Sequence, residues 1–330
     1  MRNSLKIRIF LIASLLLSGS AKAVEVRIPW KGDYKHNSDH HWSATDKMYA
    51  DSGFSRYFKN GTPEEFGVVE KSGELKAETI LPKDVTGPMP FVIMLHGCGG
   101  LDTVTKEWAQ RSADLFNAEG IGVLVLDSFT TRYVDKSCGW PDLHWGRRRA
   151  DDAYSALDYL IENKLAKPNE VYLMGYSNGG TTTLVSMTTN ETDHKYSFAA
   201  GFAVAPSCFS DTLKSGNYYG PMILFVGEKD DADEPKFCLD LMKKKRGAPV
   251  ELIEYAGVNH GFIIKQAPRV LYGWTDAKGV VHMWHMNYDE AAEKDMMQTI
   301  ISAIKTKKFG SKIEVRAVGA ADSSSGTRRF

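Results

Sequence analysis

The sequence predicts an α/β fold, a mostly parallel, doubly wound sheet with helices on both faces. Two observations predict it. Short β-prone runs recur along the chain, apolar at Phe91–Leu95, Gly122–Asp127, Val171–Met174, Phe198–Ala205 and Pro221–Val226 and alternating at Val250–Tyr255, and they are interspersed with helical patterns. Four of these runs also lead into glycine-containing turns that carry reactive side chains. The chain has 330 residues, 43% hydrophobic and 25% charged, which suits one large α/β domain with additions. Its formal net charge is zero, so there is no electrostatic footprint for nucleic acid.

Taken in order, the first segment stands outside the fold. Arg2, Lys6 and Arg8 form a basic start, Ile9 to Leu17 a short apolar core, and Ala21-Lys22-Ala23 an A-x-A cleavage site. Residues 1–23 read as a secretory signal peptide, because the apolar run is too short to span a bilayer, and an uncleaved anchor is the alternative. The mature chain is expected to be secreted or periplasmic. It keeps 37 basic against 41 acidic residues and has no second long apolar run, hence no membrane span.

Residues 24–65 are polar and aromatic without a clear helix or strand period, and are expected to form an N-terminal extension packed on the domain. The spacing of His36, His40 and His41 matches no standard metal site. The catalytic domain is expected over 66–308. It opens with a β-hairpin, Gly67–Glu70 and Leu75–Leu81, turned at Ser72-Gly73. Strand Phe91–Leu95 follows, then a helix from about Lys106 to Ala118, strand Gly122–Asp127 and a long loop from Ser128 to Trp145. Ala150, Ala153, Tyr154, Leu157, Leu160 and Ile161 make a helical stripe over Arg147–Glu162. A helix from Gly180 to Met187 packs on the strand before it, its threonines weakening the pattern. The stretch Ile263–Tyr288 is long for a loop and carries Tyr272, Trp274, His282, Trp284 and His285. It reads as a lid, with Trp274 or Trp284 over the substrate. The H-x-x-H pair His282 and His285 reads as surface or lid, since no third ligand is evident. The last helix spans Asp289–Lys305, and residues 309–330 look like a disordered tail.

The chemistry lies in the turns. Gly175-Tyr176-Ser177-Asn178-Gly179 sits between a strand and a helix, the setting of a nucleophile elbow. A serine there occupies a strained turn that lifts its hydroxyl above the sheet, and flanking side chains would collide with the neighbouring strand and helix. Downstream, Gly227-Glu228-Lys229-Asp230 places a carboxylate after a strand, with Asp231 and Asp233 in the same loop, and His260 follows the Val250–Tyr255 strand. Ser177 as nucleophile, His260 as general base and Asp230 as the acid that orients it make a triad for acyl transfer, a reaction that requires no cofactor and no metal. Upstream, His96-Gly97-Cys98-Gly99-Gly100 is a glycine-rich turn. One oxyanion donor is expected from Cys98 N–H, with Gly97 as the alternative, and the other from Asn178 N–H.

These motifs resemble the dienelactone hydrolase branch of the α/β-hydrolases, whose triad order is also Ser, Asp, His. The likeness runs from about Phe66 to Lys305. It is carried by Leu95–Leu101, Arg149-Ala150-Asp151-Asp152-Ala153-Tyr154 with Ala156-Leu157, Gly175–Gly180, Gly227–Asp230 and His260-Gly261-Phe262. The family's type enzyme uses cysteine as nucleophile where this chain has Ser177. The resemblance implies a serine hydrolase of carboxylic esters or lactones with the α/β-hydrolase fold. The Leu95–Cys98 run is similar to that of secreted polyhydroxyalkanoate depolymerases and related carbohydrate esterases, a resemblance that implies an extracellular ester as one option, so the expected partner is a small-molecule or polymeric ester substrate. A prolyl-oligopeptidase-like peptidase and a non-catalytic binding protein of the same fold are the other readings. Four cysteines allow three pairings. The usual strand order of this fold puts the Cys98 and Cys138 loops after neighbouring strands, and likewise Cys208 and Cys238, which implies Cys98–Cys138 and Cys208–Cys238, with four free, half-buried thiols as the other reading.

Overall fold

The computed structural model describes residues 23–31, 72–132, 147–189, 194–208, 216–275, 279–318 and 326–327. Its centre is a sheet in the order β1-β2-β4-β3-β5-β6-β8-β10-β13-β14, the last strand being Gly326–Thr327, antiparallel to β13. β1 (Ala23–Lys31) and β2 (Ser72–Ile80) form an antiparallel edge, and β2 runs antiparallel to β4 (Gly122–Asp127). From β4 the sheet is parallel through β3 (Met89–Leu95), β5 (Ala166–Tyr176), β6 (Ala200–Val204), β8 (Met222–Gly227), β10 (Val250–Tyr255) and β13 (Ile313–Arg316). β4, β6, β8 and β10 are buried at every residue. Apart from Asp127 at the end of β4 and Glu251 and Glu254 in β10, these strands are apolar without alternation, as a sheet covered on both faces selects.

Two cores flank the sheet. Ala150, Leu157 and Leu160 of α2 (Arg147–Glu162), Leu184 and Val185 of α3 (Asn178–Ser186) and Leu241 of α4 (Pro235–Lys244) fill one side. Trp108 and Phe116 of α1 (Thr103–Ala118), with Met296 and Ile300 of α5 (Glu290–Thr306), fill the other. The sheet is therefore doubly wound, as expected. Asp102 caps α1, its carboxylate accepting from Thr105 N–H at 2.9 Å, which starts the helix three residues before the sequence pattern does.

Four expectations need correction. The segment after Ala23 is not patternless, since Val26, Ile28 and Trp30 turn inward while Glu25, Arg27 and Pro29 turn outward. That period of two is short and contains a proline, which an edge strand tolerates. The opening hairpin is not turned at Ser72-Gly73. Both residues lie inside β2, paired with Lys31 and Trp30, while residues 67–70 lie outside the described residues. Residues 313–316 are not a disordered tail but a strand paired with β10. Arg316 holds that strand through Glu314 (2.9 Å), Asp295 (2.7 Å) and Thr299 (2.8 Å). The sheet thus extends beyond 66–308 at both ends. Finally, the 263–288 stretch is no open loop. It contains a hairpin, β11 (Arg269–Thr275) and β12 (Val281–Met286). Two short strands, β7 (Asn217–Tyr218) and β9 (Arg246–Gly247), pair apart from the main sheet. The signal-peptide segment up to residue 22, the histidines of 36–41 and Cys138 lie outside the described residues.

Candidate active site

The elbow is built by steric exclusion. β5 passes the chain to α3 through Ser177, at φ 54° and ψ −118°. A side chain in the left-handed region is strained. Ser177 N–H donating to Val204 C=O (2.8 Å) and Thr181 N–H donating to Ser177 C=O (2.9 Å) hold it there. The glycines around it are required. A Cβ on Gly175 would stand 2.0 Å from Gly179 O, and one on Gly179 would stand 2.4 Å from Leu95 O. Both obstacles are backbone, which cannot rotate away.

The loops after β8 and β10 bring two more predicted residues to this turn. His260 Nδ1–H donates to Asp230 Oδ2 at 2.8 Å, and Ser177 Oγ–H donates to His260 Nε2 at 3.0 Å. The carboxylate fixes the tautomer, because it only accepts. Asp230 is itself held, Oδ1 accepting from Ala232 N–H (3.0 Å) and Asp233 N–H (2.8 Å). Asp230 and His260 are 3% and 4% exposed, so the pair interacts in a low-dielectric setting. Burial alone would press the imidazole pKa down. The Asp230 carboxylate and its hydrogen bond, with Asp233 and Asp231 behind them, outweigh that and raise it from 6.5 to about 9. The three neighbouring aspartates take separate places. Asp230 meets His260, Asp231 meets His285 (Nδ1–H to Oδ2, 2.6 Å), and Asp233 Oδ2 stands 4.0 Å from His260 Nδ1. Burial raises the Asp233 pKa to about 6, with His260 pulling it down and Asp230 pushing it up.

The third wall is the turn after β3. Gly97 lies against the elbow, since a Cβ there would be 3.4 Å from Ser177 Cβ and from the Tyr176 ring. His96 is fully buried and neutral. Burial and the Arg149 charge lower its pKa to about 3. Its Nδ1–H donates to Gly97 O (2.7 Å), leaving Nε2 to accept from Ser128 N–H (3.4 Å). Cys98 follows, disulfide-bonded, and its expected partner Cys138 lies outside the described residues. Across the gap, Asn178 is the first residue of α3, where backbone N–H groups have no partner within the helix. The second expected disulfide, Cys208–Cys238, is present and ties the chain after β6 to α4, just past the Asp230 loop.

Sequence reasoning missed several contributors. The β11–β12 hairpin is fastened to the same loops. His285 N–H donates to Asp231 Oδ1 (2.9 Å), Asn287 Nδ2 donates to Asn259 (3.0 Å), and Met286 packs on Gly261. His285 is thus engaged by a carboxylate. Arg149 lies in a quoted motif yet had no role assigned, although it is completely buried and donates to both His96 O and the Asn178 side chain. Helix α4 went unread despite Pro235 in its first turn and Lys243 and Lys244 in its last.

Comparison with known proteins fits this geometry. The Aquifex pyrophilus protein named Protein usf is 25% identical over 182 residues, 53% of this chain and 77% of that protein. Among solved structures, a dienelactone hydrolase-like promiscuous phosphotriesterase from metagenomic libraries superposes with a TM-score of 0.52 at 15% identity, covering 87% of this chain and 99% of that one. An esterase from Thermogutta terrifontis with butyrate bound gives 0.52 at 15% identity, over 73% of this chain and 92% of that one. Both are likenesses of fold. The chain spans 34% of the length of a puromycin hydrolase structure that it also matches, with a TM-score of 0.46. The model of the dienelactone hydrolase family matches residues 75–308, a span that takes in the turn after β3, the elbow and the loops of Asp230 and His260. By that match and by its fold, the chain belongs to the dienelactone hydrolase family of α/β-hydrolases.

Proposed function

We propose that this family member is a serine hydrolase of carboxylic esters or lactones, acting through Ser177, His260 and Asp230. The observation that carries the reading is the unbroken hydrogen-bond chain from Ser177 Oγ through His260 to Asp230, anchored at a strained turn. In this mechanism His260 Nε2 takes the Ser177 proton as Oγ attacks the ester carbonyl. Asp230 keeps Nδ1 protonated and stabilises the imidazolium. The carbonyl oxygen becomes an oxyanion, accepting from Asn178 N–H and Cys98 N–H, each worth about 3 kcal/mol of barrier. His260 returns its proton to the leaving alcohol, and the acyl group stays on Ser177. A water, deprotonated by the same imidazole, then releases the acid and restores the serine. Export belongs to the same reading. The basic, apolar and A-x-A signals of residues 1–23 support it, and so do paired cysteines, which persist outside the reducing cytoplasm.

The test is hydrolysis of a p-nitrophenyl ester series by the mature protein and by Ser177→Ala, with fluorophosphonate labelling of both. Ester turnover and a label on Ser177, both lost in the variant, are expected. Peptide cleavage without ester turnover would favour a peptidase, and absence of any label would favour a binding protein. N-terminal sequencing of the exported chain should begin at Val24.

A further inference from the structure

We propose that Arg149 is the positioning residue of the oxyanion hole, clamping its two arms at a fixed separation. The inference rests on the serine-hydrolase reading above and concerns how that site is held ready.

Arg149 lies near the start of α2, and none of its surface reaches solvent. Burying a guanidinium is costly unless its donors are used. Two of them go to the two segments that flank Ser177. One terminal nitrogen, Nη1, donates to Asn178 Oδ1 at 2.5 Å, and the other, Nη2, donates to the His96 carbonyl at 2.7 Å. Asn178 supplies one expected oxyanion donor through its own backbone. The His96 carbonyl lies two residues before Cys98, whose N–H is the other. The guanidinium is a rigid plane, so its two nitrogens cannot move independently. It rests over the Phe129 ring at 5.2 Å, which limits its tilt. Phe129 also packs edge-on to His96, with ring centroids 4.4 Å apart. One planar group therefore sets the distance between the turn after β3 and the start of α3. An oxyanion hole works only if its donors are already aimed where charge will develop, and a misplacement near 1 Å costs on the order of 100-fold. Arg149 touches no substrate in this scheme and acts through the peptides that it holds.

The test uses Arg149→Met, Arg149→Lys and Asn178→Ala in the full mature chain. The last keeps the backbone donor but removes the clamp's acceptor. Three readouts are needed: steady-state kinetics on a p-nitrophenyl ester, the pH profile of kcat/KM, and inhibition by a trifluoromethyl ketone. That ketone adds Ser177 Oγ to its carbonyl carbon and passes the serine proton to His260, leaving an oxyanion in the hole. Arg149→Met should lower kcat roughly 10- to 100-fold with KM changed less than about threefold, and weaken the ketone in the same proportion. Arg149→Lys, able to reach one acceptor, should fall between. The pH limb should stay in place, because the charges acting on His260 are Asp230, Asp233 and Asp231. Combining Arg149→Met with Asn178→Ala should cost little more than the first change alone. Unchanged kcat and ketone affinity in a folded Arg149→Met protein would overturn the proposal, and so would a drop in kcat with full ketone affinity. Should that variant not fold, wild-type kcat and ketone affinity in both Arg149→Lys and Asn178→Ala would overturn it equally. Failure here is separable from failure of the functional reading, which would appear as a wild-type protein without ester turnover or a fluorophosphonate label.

Discussion

Changing Asp230 to asparagine preserves shape and removes one charge, and the structure dictates which way the new amide must face. Oδ1 accepts from the backbone N–H groups of Ala232 (3.0 Å) and Asp233 (2.8 Å). An amide nitrogen cannot take that place, because it would set donor against donor. The asparagine oxygen therefore stays on the backbone, and its NH2 faces His260 Nδ1, where Oδ2 stood 2.8 Å away. Nδ1 must then accept, so the imidazole proton moves to Nε2 and points at Ser177 Oγ. The lone pair that should receive the serine proton is gone. A carboxylate-to-amide change in a Ser-His-Asp triad costs about 10⁴-fold in kcat, or about 5.4 kcal/mol of barrier. The assay is kcat on a p-nitrophenyl ester for Asp230→Asn beside Asp233→Asn, each checked for an unchanged thermal midpoint. Asp233→Asn should lose less than about tenfold, since its oxygen is 4.0 Å from Nδ1 and makes no hydrogen bond to it. A kcat within tenfold of wild type in Asp230→Asn refutes the tautomer argument, and collapse in Asp233→Asn instead moves the acid to that position.

The base must be neutral to act and its pKa is raised to about 9, so kcat/KM should climb with pH along a limb well above 6.5. A limb at or below 6.5 in a profile from pH 5.5 to 10 contradicts this. The same shift links to folding with a definite sign. A raised folded pKa stabilises fully below the unfolded value near 6.5, and that contribution is lost as pH rises through about 9. Urea midpoints should therefore fall between pH 6 and pH 10 more in wild type than in His260→Gln. Removing the Cys208–Cys238 disulfide, whose ends are 30 residues apart, should cost about 3.6 kcal/mol by loop entropy, and a urea-derived loss under 1 kcal/mol would contradict that account. Gly179→Ala should prevent folding or abolish activity, because its Cβ meets backbone oxygens of Leu95 and His96 at 2.4 and 2.7 Å. Gly99→Ala, with nothing within 4 Å, should change stability by less than about 0.5 kcal/mol, and equal tolerance of both would refute the steric reading of the elbow.

The sheet's centre was legible in the sequence because burial on both faces writes itself as unbroken apolar runs, as in β6, β8 and β4 up to its terminal Asp127, while β10 shows as an alternating strand with Glu251 and Glu254 between apolar residues. The edges were not. β1 has one inward face of three residues and a proline, and the strand at Ile313 has four residues, two of them charged. Each gains its place only by pairing with a strand already formed. The hairpin of β11 and β12 was obscured by its irregular register between Tyr272 and Trp274, and by apolar residues on its outer face. Val270, Val281 and Met283 are all exposed, so the outward positions are not marked by polar residues there, although burial in β12 itself alternates.

The reactive residues were legible for a related reason. Ser177, Asp230 and His260 each follow the carboxyl end of a buried parallel strand, so the signal that marks the strand also marks the turn. What holds those turns in register comes from elsewhere in the chain, with no local period to announce it. Arg149 reaches His96 across 53 residues and Asn178 across 29, and Asp231 reaches His285 across 54. A single sequence shows such side chains only as charges on a helix or in a loop. Their partners emerge once the parallel sheet has brought its carboxyl ends together, which is also why a family motif such as Arg149–Tyr154 can be recognised before the job of its first residue is known.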